Sequence, residues 1–167
     1  MSLERQLVGL LQQMYVSERD YQMYLCDWAG KTKDQQLKTV ANAEVEGIGH
    51  EMANVRECLS LLGAMPNEDM ISPIVKGLME MDQCFLAEKK GITPGDMDIH
   101  VALTDVCFGS AEIGQYQGML TMVRALKRHD IAGLLEQTLQ REEEDLQEMT
   151  AILNDLINLS QPQQKAA

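Results

Sequence analysis

At 167 residues the chain has the length of a single domain and enough material to bury a full core. Its formal charge of −12 and pI near 4.6 exclude free binding to nucleic acid or an anionic membrane surface, since phosphate would be repelled overall, and leave metal cations as suitable ligands. Hydrophobic residues reach 45% but aromatics only 4%, so Leu, Ile, Val, Ala and Met must fill the interior, and unbranched Met suits the irregular gaps between helices.

No run approaches the roughly 18 consecutive apolar residues of a membrane helix. The opening MSLERQLVGLL lacks a basic leader, a long apolar run and a small-residue cleavage site, which predicts a cytoplasmic chain. Cys26, Cys58, Cys84 and Cys107 are widely spaced, form no CxxC and read as buried reduced thiols.

Prolines occur only at Pro66, Pro73, Pro94 and Pro162, leaving 1–65 and 95–161 free of the strongest helix breaker. A first helix is predicted over 3–29, with Leu7, Leu11, Met14, Tyr21, Leu25 and Trp28 on one seam. Gly30-Lys31-Thr32 breaks it, and Thr32 with Gln35 has the spacing of a capping box. A second helix follows over 33–62, with Ala41, Val45, Ile48, Met52, Val55, Leu59 and Leu62 as its stripe. A short helix is expected at about 70–88, then a loop from Gly91 to Gly95. The third long helix, 98–128, is less tidy, with Val106, Ile113, Tyr116, Leu120 and Val123 inward. Asp130 is a candidate N-cap for the last helix, 131–158, whose seam is Leu135, Leu139, Leu146, Met149, Leu153 and Leu156. The tail 161–167 reads as frayed. Short links and one long connection make an all-α four-helix bundle: one domain over 1–160, two antiparallel hairpins and a crossover carrying a short helix. Apolar residues on several sides of that short helix (Ile74, Val75, Leu78, Met79, Met81, Phe85 and Leu86) predict a homodimer or larger assembly.

Carboxylates break the seams. Glu18 fills the apolar place between Met14 and Tyr21, and Glu142 the one between Leu139 and Leu146. A lone carboxylate in a bundle interior costs several kcal/mol unless paired, protonated or bound to a cation. Glu44 and Glu51 flank the second seam, and a turn near residue 31 would set Glu18 level with Glu44. Glu112 flanks the third helix's inward face, and a turn near residue 129 would set it level with Asp145. Glu142 and Asp145 have the i, i+3 spacing that places two ligands on one face. Glu18, Glu44, Glu112, Glu142 and Asp145 are thus the candidate metal ligands, and their oxygen donors suit iron or manganese. The competing reading makes the flanking acids solvated helix edges and pairs Glu18 and Glu142 with Arg, Lys or the hydroxyls of Tyr15, Tyr21 or Tyr116. His50 follows Glu46 at i+4, yet both point away from Ile48 and Met52. His100 and His129 read as capping or surface residues near helix ends.

Several short motifs run in order along nearly the whole chain. They are Met14-Tyr15-Val16-Ser17-Glu18, Leu61-Leu62-Gly63 before Pro66, Lys76-Gly77-Leu78, Glu112-Ile113 with Tyr116, and Thr138-Leu139 with Glu142. In these the sequence resembles the ferritin-like stress-associated YciE/YciF family, which is similar to rubrerythrin-like di-metal bundles. The resemblance implies a ferritin-like fold and a carboxylate metal site. It also marks departures: where the family pattern resembles His-x-x-Glu on the second helix stand Glu44 and Gly47, and where two glutamates three apart are expected on the third stand Gly109 and Glu112. Glycine supplies no side-chain ligand, so a complete two-metal site is not implied. Two functions follow as expectations: a ferritin-like iron- or manganese-binding stress protein, or a metal-free helical stress protein acting through oligomerisation or a partner.

Overall fold

The computed structural model describes residues 1–88 and 91–160, so the predicted frayed tail at 161–167 lies outside the described residues. The described residues form five helices and no strand: α1 (Leu3–Ala29), α2 (Gln35–Leu61), α3 (Pro73–Glu88), α4 (Pro94–Ala125) and α5 (His129–Ser160). Helices α1 and α2 form one antiparallel hairpin, α4 and α5 another, and the connection between them carries α3. Around the bundle α2 neighbours α5 and α1 neighbours α4, while α3 lies against α1 and α4.

The long helices follow from the proline-free runs, but their ends follow from local chemistry. Helix α1 starts at Ser2, whose hydroxyl accepts from the Arg5 amide. The expected Thr32 capping box does not form. Asp34 is the N-cap of α2, and Thr32 instead donates to Asp98 of α4. A buried carboxylate with two further amide donors, from Lys33 and Asp34, is a better partner for the hydroxyl than a helix end. Helix α4 begins earlier than expected, because Pro94 at the first position needs no amide partner and Thr93 with Asp96 completes a capping box. Helix α5 begins at His129, and Asp130 sits in its first turn, held by the Arg128 guanidinium at 2.6 Å. Gly63, at φ 67°, ends α2 with paired bonds from Gly63 and Ala64 back to Ser60 and Leu59.

The untidy pattern of α4 has a plain cause: α1, α3 and α5 all pack on it, so it is apolar on several sides. Apolar layers fill both ends of the bundle. At one end Leu7, Leu11, Val55, Leu59, Val123, Ile131 and Leu135 interlock; at the other Trp28, Leu37, Val101, Met149 and Ile152 do. Between them lies a layer of acids.

Candidate metal centre

Each long helix delivers acids to this layer through its own periodicity. On α2, Glu44 and Glu51 are seven residues apart, and on α4 so are Asp105 and Glu112; seven residues are two turns, so each pair shares a face. Glu18 comes from α1, and Glu142 and Asp145 from α5.

Glu18, Glu112 and Glu142 come together: one carboxylate oxygen from each lies within 4.8 Å of the others. All three are buried, Glu18 completely. Tyr116 donates its hydroxyl to Glu18 Oε1 at 2.8 Å. Glu18 Oε2 and Glu112 Oε1 are buried without a hydrogen-bond partner. Desolvation raises the Glu18 carboxyl to about 8, with the Glu51 charge adding to it and the Tyr116 bond opposing. Desolvation, then the charges of Glu18 and Glu51, raise Glu142 to about 10. Glu112 is held well above the ordinary carboxyl range by burial and by Glu18 and Glu142. Without a cation the trio therefore holds protons.

Glu44 and Asp145 lie outside that trio. Half-buried Glu44 faces Asp105, and desolvation followed by the Asp105 charge raises it strongly. The register is offset from the expected one by more than a turn. Gln22 donates to the Val45 carbonyl at 2.8 Å, so four residues further from the turn Glu18 stands level with Gly49, beyond Glu44 and nearer Glu51. On the other hairpin Gly109 faces Leu146, which places Glu112 against Glu142 and not against Asp145. Asp145 is at the bundle edge, 3.5 Å from Arg141 Nε. Glu46 and His50 are exposed, as the helical wheel indicates.

Two contributors do not stand out in the sequence. Asp105 is buried and raised to about 6, chiefly by desolvation; its seven-residue spacing from Glu112 was the available signal. Arg141 pairs with Glu51 at 3.3 Å, and its place before an acidic run disguised it as surface. His100, expected at the surface, is buried and bonds Asp82 at 2.7 Å. The same carboxylate accepts from Tyr24 and Trp28 at 2.9 and 3.0 Å.

The arrangement fits a single hard cation. It offers three converging carboxylates, a dry surrounding and two buried oxygens that only shared protons would otherwise compensate, and oxygen donors suit iron(II), manganese(II) or magnesium. A helical bundle of two hairpins with acids converging between its apolar layers is a ferritin-like bundle. The chain belongs to the family described as "Domain of unknown function (DUF892)", whose model matches residues 2–161. No curated protein matches the sequence. Among solved structures, the chain is similar to the E. coli stress protein YciF, at 18% identity over 95% of this chain and 98% of that one, with a TM-score of 0.84. A protein from Xanthomonas campestris shares 19% identity over 95% of both chains at a TM-score of 0.76. A structure of ferritin-like, diiron-carboxylate proteins from Bacillus anthracis shares 15% identity over 92% of this chain and 99% of that one, at 0.67. At these identities the likeness shows the fold.

Proposed function

We propose that this chain is a stress-associated metal-handling protein that binds one redox-active divalent cation, iron or manganese, through Glu18, Glu112 and Glu142. The observation that carries it is the pair of unpartnered, fully buried carboxylate oxygens on Glu18 and Glu112 within a cluster of three acids. Burial of such groups without compensation costs several kcal/mol. A bound ion of this class supplies one-electron chemistry or storage; the chain holds it, excludes water with the flanking apolar layers, and keeps the Tyr116 hydroxyl against Glu18. Glu44, Asp105 and Asp145 are further carboxyls near the site. The similarity to a protein titled a stress protein and to one titled diiron-carboxylate supports the assignment of role and metal class.

Anaerobic calorimetric titration with Fe(II) or Mn(II) tests the proposal. Saturable binding is expected in the parent, and its loss in Glu18→Ala combined with Glu142→Ala. A parent without saturable binding overturns the metal reading and favours the metal-free one, in which protons and the Tyr116 bond compensate the acids. We place the protein in the reducing cytoplasm, where the thiols of Cys26, Cys58, Cys84 and Cys107, free in this structure, are stable. Among the described residues no helix is long and apolar enough to cross a membrane. We further propose a homodimer or larger assembly, supported by the exposure of Met23, Ile71 and Met79 around a hollow of about 330 Å³ beside α1 and α3.

A further inference from the structure

A second group of acids lies outside the inner trio, where α2 meets α5. Glu51 is buried there, Asp145 stands at the edge, and Glu142 of the inner trio interacts with both. Arg141 threads this group, with Nε 3.3 Å from Glu51 Oε1 and 3.5 Å from Asp145 Oδ2. Its guanidinium lies over the backbone of Gly47: a Cβ built at that residue would stand 2.6 Å from Cζ and nearer still to Nη2. Gly47 thus lets the guanidinium enter. A glycine in mid-helix is destabilising relative to alanine, and here the missing side chain is the room the cation fills. A solvent-open cleft of about 470 Å³, lined by Glu51, Asn54, Thr138 and Gln140, ends on the same Arg141.

We propose that Arg141 is a resident cation occupying the outer half of the carboxylate centre, so that the chain takes one divalent ion and not two. The guanidinium cannot be deprotonated in a protein, so it supplies a fixed positive charge between Glu51 and Asp145 at the mouth of the cleft. Removing it leaves Glu51 and Asp145, with Glu142 shared from the inner site, as oxygen donors without a resident counter-charge. The proposal rests on the single-cation reading of the inner site, and the test separates the two.

Protein loaded anaerobically with Mn(II), freed of excess ion and analysed by elemental mass spectrometry gives the stoichiometry. The parent is expected to hold one Mn(II) per chain. Arg141→Gln removes the charge, and Gly47→Ala expels the guanidinium by occupying its space; each is expected to gain a second, weaker site. Helicity and thermal unfolding of both variants report whether they fold, and the two reach the same end by unrelated substitutions. One ion in the parent and one in both folded variants overturns this inference and leaves the inner site standing. No ion in the parent but one in both variants overturns the inner-site reading and supports the role of Arg141. No binding in any of the three overturns both.

Discussion

The raised carboxyls of Glu18 and Glu142 bear on stability before they bear on any metal. Their folded values, about 8 and about 10, lie above the ordinary 4.5. Between those limits the folded metal-free chain binds more protons than the unfolded one, so unfolding free energy falls as pH rises. Stability from these protons is complete below about pH 4.5 and is lost as pH climbs through 8 and then 10; Glu44 and Glu112 add with the same sign. Asp130, lowered to about 2 by Arg128, acts oppositely but only in acid, outside that window. Thermal melts of metal-free protein should therefore show a midpoint that drops from pH 5 to pH 9, by several degrees. The combined Glu18→Gln and Glu142→Gln variant should flatten the slope, and an unsloped parent would count against protonated acids. Glu18 and Glu142 were legible in the sequence because each interrupts an otherwise apolar seam. Asp105 was not, because α4 is covered on three sides and shows no seam to interrupt. Arg141 was hidden because its role depends on empty space across the interface at Gly47, which a sequence does not display.

At the scale of elements, α3 is held at its start by Ser72, which bonds Ser17 and Asp20 of α1, and within the helix by one acid. Its inner apolar residues, Val75 and Leu78, are buried, but the polar anchor is Asp82, which gathers Tyr24 and Trp28 of α1 and His100 of α4. Phe85 stacks on His100 with ring centroids 3.9 Å apart. Asp82→Ala leaves several buried partners unsatisfied and should cost about 2–4 kcal/mol. Chemical denaturation measures the loss, and hydrogen exchange should show α3 opening first. A loss below about 1 kcal/mol would mean that apolar contacts alone hold the helix. The existence of the four long helices and their approximate spans were readable from proline placement and 3.6-residue periodicity. The caps were less so: Thr32 and Asp130 have the right residue type, but the distant Asp98 claims the first and the neighbouring Arg128 the second. Pro94 has the sequence surroundings of a loop residue, although the first helical turn accommodates it.

For the whole molecule, the two hairpins and the long connection followed from the spacing of breaks. The register between the helices within a hairpin did not, because it is set by contacts such as Gln22 of α1 with Val45 of α2 that no local pattern encodes. Assembly is the property left to measurement. Sedimentation equilibrium at tens of micromolar is expected to show a dimer or larger species, and Met79→Glu with Ile71→Lys should shift it toward monomer through burial of charge at the contact. A strict monomer for the parent would rule that out. The division of the acids between hairpins has a further kinetic meaning. Glu112 and Glu142 belong to one hairpin and Glu18 to the other, so each hairpin can form from local contacts before all the charges meet. Docking of the hairpins is then the step that gathers like charge into a desolvated layer. Protons or a divalent ion would act as an assembly aid at that late barrier, hastening the joining of two preformed halves while leaving the speed of hairpin formation untouched.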